Sequence, residues 1–172
     1  MPEFGLIQVY TGNGKGKTTA SLGLALRACG HGFHVYMVQF MKAAGVYGEN
    51  KAGLPGLTIV PAGRASFVNL QEPDPVDRKL AREGWEKAKR KIASGDCQIV
   101  ILDEINVALS CGLLDVDEVV AFLREKKYPV EIVLTGRNAP SPIIEIADLV
   151  TEMKEVKHPF QNGVDARQGI EY

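Results

Sequence analysis

Apolar residues fall along this chain in two kinds of run, short and continuous or spaced at every third or fourth position, which predict strands and helices in turn. Leu6-Ile7-Gln8-Val9-Tyr10 is a short apolar strand, followed by glycines and a helix-like segment from Ala20 to Cys29. Gly30-His31-Gly32 reads as the end of that helix and a turn. Val35-Tyr36-Met37-Val38-Gln39-Phe40-Met41 is nearly all apolar, as strands inside a parallel sheet are, and it ends at Lys42. A glycine-rich loop leads to a short strand, Leu57 to Pro61, and a second loop runs from Ala62 to Pro73. Asp74-Pro75 then supplies an N-cap and a first-turn proline. Val76, Leu80, Gly84, Ala88 and Ile92, with Ala81 and Trp85 beside them, form one face of an amphipathic helix reaching about Ser94.

The second half repeats the alternation. Gln98-Ile99-Val100-Ile101-Leu102-Asp103-Glu104 is a buried strand that ends in an acid pair. Asp115-x-x-Glu118 has the spacing of a capping box and opens a helix to about Lys126. Glu131 to Thr135 is a strand, Ser141-Pro142 caps a short helix to Ala147, and Leu149 to Met153 is the last strand. Strands and helices in alternation predict one α/β domain over residues 1–172, with a doubly wound, mostly parallel sheet.

Composition narrows the function classes. With 172 residues, 45% hydrophobic and 24% charged, the chain suits a single soluble domain with a sizeable core. A net charge of −1 with dispersed Lys and Arg argues against a nucleic-acid partner. The basic face of the helix after Pro75 (Arg78, Lys79, Arg82, Lys89, Arg90) reads as solvated. Cys29, Cys97 and Cys111 lack metal-binding spacing and read as small hydrophobes. No apolar run is long enough to cross a membrane and Met1-Pro2-Glu3-Phe4 is no signal peptide, so a cytoplasmic protein is expected.

The chemistry concentrates at Gly12-Asn13-Gly14-Lys15-Gly16-Lys17-Thr18-Thr19. Between a strand and a helix, such a stretch is a phosphate-binding loop: glycines turn backbone N–H groups into one concavity, and the helix N-terminus adds positive potential. Lys17 supplies a point charge and the Thr18 hydroxyl is placed for a magnesium ion. The usual pattern has glycine where Thr11 stands, so this loop starts at Gly12 and is tighter. Asp103 and Glu104 arrive at the same sheet edge to hold or orient the metal, the alternative being that Asp103 caps a short helix through Ala108. No Asn-Lys-x-Asp sequence reads guanine, no arginine-dense insert resembles a kinase lid, and His31, His34 and His158 form no proton-transfer set. His158 lies in a tail placed to fold over the site.

Val38-Gln39-Phe40-Met41-Lys42, Leu102-Asp103-Glu104, Thr135-Gly136-Arg137, Ala147-Asp148-Leu149-Val150 and Lys157-His158-Pro159-Phe160 follow the phosphate loop in order. With the ending Gly163…Ala166-Arg167-Gln168-Gly169-Ile170-Glu171-Tyr172, the set resembles the P-loop ATP:corrinoid adenosyltransferases of the CobA/CobO/BtuR type over nearly the whole chain. These are also called cob(I)yrinic acid a,c-diamide adenosyltransferases. The resemblance implies a RecA-like P-loop fold and transfer of the 5′-deoxyadenosyl group of ATP to the cobalt(I) of a corrinoid. Triphosphate is released, in adenosylcobalamin biosynthesis or salvage. It further implies magnesium (or manganese), a homodimer, a flavoprotein-type reductant, and ATP bound in the opposite sense to ordinary P-loop enzymes.

Cobalt(I) is itself a strong nucleophile, so no protein base is needed. The developing triphosphate charge falls to the backbone donors of Gly14 to Thr18, to Lys17 and to the metal. Lys15, Lys42 and Arg137 add positive potential, while Thr18, Asp103 and Glu104 are the expected metal contacts. No Asp-x-His-x-x-Gly sequence offers cobalt a histidine; the family instead resembles a system in which apolar residues exclude the lower ligand. Phe67 is the candidate by the resemblance, although the family's Phe-x-Trp is not kept and a buried packing role remains an alternative. Because the chain begins almost at its first strand, closure of the site is expected to rely on other loops. Two further readings compete: a P-loop ATPase or small-molecule kinase cleaving between phosphates, and a non-catalytic, ATP-responsive corrinoid carrier.

Overall fold

The computed structural model describes residues 5–127 and 129–172, so Met1–Phe4 lie outside the described residues. Among the described residues six strands form one sheet: β1 (Ile7–Thr11), β2 (Val35–Phe40), β3 (Leu57–Ala62), β4 (Ile99–Asp103), β5 (Glu131–Thr135) and β6 (Leu149–Glu152). Their order across the sheet is β3-β2-β4-β5-β1-β6, and every neighbouring pair is parallel. The expected mostly parallel sheet is therefore wholly parallel. β5 lies between the strand leading into the phosphate loop and the strand carrying the acid pair, the RecA-like arrangement.

Alternate residues of each strand serve opposite faces. Val38, Phe40, Val100, Leu102, Ile132 and Leu134 point into one core with Trp85, Ile92, Leu109 and Leu123. That face is covered by α2 (Pro75–Ser94), α3 (Ile105–Ser110), α4 (Val116–Arg124) and α5 (Ser141–Ile146). Met37, Ile101 and Val133 point the other way, onto Ala25 and Ala28 of α1 (Lys17–Gly30). The sheet is doubly wound but unevenly, because one long helix covers what four cover opposite. All C-terminal strand ends, and thus the loops after β1, β2, β4 and β5, gather at one edge, where open α/β sheets bind ligands.

The α2 stripe stands with one correction at its start. Val76 is exposed and Asp77 is buried, because Arg64 grips Asp77 through two hydrogen bonds of 2.7 and 2.8 Å. Asp74 occupies the N-cap position without capping, since its carboxylate also turns to Arg64. Ser141 likewise is the first residue of α5 rather than its cap, which is Pro140. Gly84 is required by close approach: a Cβ there would lie 2.6 Å from Ala62 Cβ on β3.

At α4 the capping box is half made. Asp115 accepts a hydrogen bond from Glu118 N at 2.8 Å, but the Glu118 carboxylate does not reach back. It accepts instead from Arg82 (2.5 Å), Trp85 Nε1 (2.9 Å) and Lys89 (3.2 Å) on α2. The Arg82 hydrogen bond, helped by those from Trp85 and Lys89 and opposed by burial, holds its pKa down to about 2. A carboxylate with a depressed folded pKa stabilises the fold above its unfolded pKa, and that stabilisation is lost as pH falls through the folded value. Glu118→Gln should cost about 1 kcal/mol at pH 7, after allowance for solvent screening. Denaturation of both proteins from pH 7 down to 2 should show the gap closing below pH ~4.5. A gap that stays constant over this range would remove the ionic account.

Candidate functional site

The loop after β1 is shaped by what lies over it. Gly12 and Gly16 hold positive φ angles of 92° and 121°, where side chains are strained. A Cβ on Gly12 or Gly14 would sit 2.5 or 2.7 Å from the Met153 carbonyl oxygen, so the segment after β6 leaves room only for glycine. Thr11 remains in β1, its Oγ1 accepting from Ala139 N at 3.3 Å, and the bend starts at Gly12.

One expected donor is already engaged: Gly14 N donates to Met153 O at 2.6 Å. The Lys17 ammonium folds back on the loop and donates to Gly12 O (2.8 Å) and Gly14 O (2.7 Å). Burial, partly offset by the Glu104 charge, lowers its pKa. The first turn of α1 keeps its free N–H groups facing the cleft, since Ala20 N makes the opening helical bond to Gly16 O.

Opposite the loop, Asp103 is fully buried at the end of β4. Oδ1 accepts from the hydroxyls of Thr18 (2.8 Å) and Thr135 (2.7 Å), while Oδ2 accepts from Lys42 (2.8 Å) and Gln39 (3.3 Å). Asp103 does not cap α3. The residue at that cap position is Glu104, in a left-handed conformation with φ 62°, and its backbone N donates to Thr135 Oγ1 at 3.0 Å. Glu104 faces the cleft, and burial, aided by the Asp103 charge, raises its pKa against the pull of Lys42, Lys17 and Arg137. Burial alone would lower the Lys42 pKa, but Asp103, Glu49 and Glu104 together outweigh it and raise it.

The cleft encloses about 550 Å³ between these groups. Asn13, Gly14, Lys15, Gly16, Lys17, Thr18 and Thr19 line it, with Lys42, Glu104, Arg137 and His158. Gly12 does not reach it and acts through the bend. Phe67 is wholly exposed on the loop before α2 and does not line the cleft, so the packing alternative for this residue is excluded.

Several participants were not anticipated. Gln39, fully buried, ties Asp103 to the loop after β2 through Glu49 (2.8 Å) and Asn50 (2.8 Å). A single amide in an apolar strand was the signal for it. Tyr47, under the Lys42 ammonium at 4.7 Å, lies in a loop whose sequence has no periodicity and gave no signal. Thr135 was visible as the polar end of an apolar strand at the same edge.

The donor set fits a magnesium ion. Thr18 and Glu104 offer hard oxygen atoms on the cleft wall, with Asp103 buried behind them and holding the Thr18 hydroxyl, and magnesium takes few protein ligands, with phosphate and water completing its shell. Among the described residues no cluster of three or more His, Cys, Asp or Glu could hold a metal without such help.

A family profile described as ATP:corrinoid adenosyltransferase BtuR/CobO/CobP matches residues 3–172. A corrinoid adenosyltransferase from Sinorhizobium sp is 44% identical, over 99% of this chain and 81% of its own length. The corrinoid adenosyltransferase of Escherichia coli (strain K12) is 39% identical, over 99% of this chain and 87% of its own. Among solved structures, the flagellar accessory protein FlaH from Methanocaldococcus jannaschii aligns with a TM-score of 0.57 and 18% identity, covering 87% of this chain and 71% of that one. The likeness to FlaH is one of fold.

Proposed function

The chain belongs to the ATP:corrinoid adenosyltransferases, and from that premise we propose how its cleft transfers the 5′-deoxyadenosyl group of ATP to the cobalt(I) of a corrinoid. The single observation that carries the assignment of roles is the direct bond between the two halves of the site, Thr18 Oγ1 to Asp103 Oδ1 at 2.8 Å. It joins the loop that grips phosphates to the strand that carries the acids. Lys17 and the N–H groups at the start of α1 hold the triphosphate, with Lys15, Lys42 and Arg137 adding positive potential around it. Thr18, Asp103 and Glu104 would hold magnesium, which when bound neutralises charge on the leaving triphosphate.

Cobalt(I) attacks the ribose C5′, the C5′–O bond breaks, and its electron pair leaves on triphosphate. No protein atom has to accept a proton in that step. The cleft's task is to keep the phosphate end fixed while the cobalt and C5′ come into line. The Phe67 loop is proposed to meet the corrinoid and exclude its lower axial ligand, supported by an apolar ring left exposed among the described residues. A homodimer, the cytoplasm and a flavoprotein-type reductant complete the proposal. Among the described residues no helix is long and apolar enough to cross a membrane.

The test supplies ATP, magnesium and chemically reduced cobalamin and analyses both products. A light-sensitive cobalt–carbon product with stoichiometric triphosphate is expected, while ADP and phosphate alone would establish the ATPase or kinase reading instead. In the same assay Phe67→Ala should impair reaction started from cobalt(II) and a reductant more than reaction started from cobalt(I). Equal loss in both arms would remove the role given to Phe67.

A further inference from the structure

Lys15 projects from the phosphate loop but does not face open solvent alone. Its ammonium donates to the Glu171 carboxylate at 2.7 Å and to the Ile170 carbonyl oxygen at 3.2 Å. Both acceptors belong to the last residues of the chain, and Gly169, Ile170, Glu171 and Tyr172 form part of the cleft wall. Among the described residues, these two bonds are the only hydrogen bonds or ion pairs that tie residues 165–172 to the rest of the molecule.

The tail presents its carboxylate ready-made. Arg167 donates to Glu171 from its backbone N (2.8 Å), its Nε (3.2 Å) and its Nη2 (3.1 Å). Ile170 N and Glu171 N return to Arg167 O, and Gly169 N donates to Tyr172 O, which closes the tail into a compact turn. Arg167 itself does not line the cleft. A carboxylate next to a polyanion site would ordinarily oppose ATP. Here its charge is matched by Arg167 on one side and Lys15 on the other, so the pair turns Lys15 without adding net repulsion. An ammonium has three protons, and two are directed at the tail, which leaves one with a fixed direction.

We propose that Glu171, braced by Arg167, is a positioning residue for ATP: it docks the tail on Lys15, sets the direction of that ammonium, and so completes one wall of the nucleotide cleft. The inference rests on the adenosyltransferase reading of the same site. Removing the dock frees the wall and lets Lys15 swing into solvent, which weakens ATP binding without touching the atoms that react.

Steady-state kinetics with chemically reduced cobalamin and varied ATP, on Glu171→Gln and Arg167→Ala, tests this. Both should raise KM for ATP about fivefold, with kcat at saturating ATP within about twofold of the unaltered enzyme. Arg167→Lys, which keeps the charge and a donor, should recover most of the affinity. A KM that is unchanged in both variants overturns the proposal. A KM that falls overturns it too, because Glu171 would then be competing with phosphate for Lys15. If the unaltered enzyme binds ATP but forms no cobalt–carbon bond, the fault lies with the adenosyltransferase reading and not with the tail.

Discussion

Lys17→Ala is expected to lower kcat/KM for ATP by about a thousandfold, a loss of roughly 4 kcal/mol of transition-state stabilisation. The side chain is nearly buried and its ammonium lies 2.7–2.8 Å from two carbonyl oxygens of its own loop. It is therefore anchored at the loop before any phosphate arrives, with one N–H left over for the leaving group. Burial, with a smaller contribution from Arg137, lowers its pKa, while Glu104 and Asp103 pull the other way. Lys17→Arg should fail to restore the rate, because a planar guanidinium cannot occupy the space of a compact ammonium between Gly12 O and Gly14 O. Initial rates at limiting ATP, measured beside far-ultraviolet circular dichroism to confirm folding, decide the matter. An unchanged rate in a folded Lys17→Ala protein would sink the proposed phosphate cradle.

β4 and β5 were legible because burial on both faces demands uninterrupted apolar runs, and they lie where those runs lie. Helix α2 was legible from its fourfold stripe, apart from Val76, whose place in the stripe is taken by a buried aspartate. That failure has a physical cause. Arg64 comes from a loop thirteen residues before Asp77, and a side-chain ion pair made there overrides the hydrophobic period at the helix start. The phosphate loop, Thr18 and the acid pair could be named from sequence because each is local: a strand, a turn and a helix in one short stretch. What holds them together is not local. Asp103 is bound by four residues from three separate segments, Thr18, the Gln39 and Lys42 pair at the end of β2, and Thr135, which pattern alone cannot bring into contact. The same limit applies to Gly14. Its N–H was expected to meet phosphate, and it meets Met153, 139 positions away, because β6 runs beside β1.

Asp103→Asn is expected to cost about 3 kcal/mol of stability and to reduce kcat/KM by about a hundredfold or more. The carboxylate is fully buried, and the Lys42 side chain paired with it is only 12% exposed. An asparagine can satisfy one side of the network by turning its oxygen toward Lys42 and Gln39, while the Thr18 and Thr135 hydroxyls rotate to accept. It cannot supply the charge. Lys42 would then remain buried with only Glu49, 3.8 Å away, and Glu104 to favour its ammonium form. In the unaltered protein the raised Lys42 pKa gives stability that is fully present below its unfolded pKa, near 10.4, and is lost as pH rises through the folded value. In the variant, burial is opposed by less negative charge, the folded pKa falls, and neutral Lys42 becomes the better-tolerated form as pH rises. The stability gap between the two proteins should therefore be largest near pH 7 and shrink toward pH 10. Urea denaturation at both pH values measures it. A gap of equal size at pH 7 and pH 10 would mean that Asp103 serves the fold through shape and hydrogen bonds alone, with no part for the charge that is proposed to hold Lys42 and the metal in place.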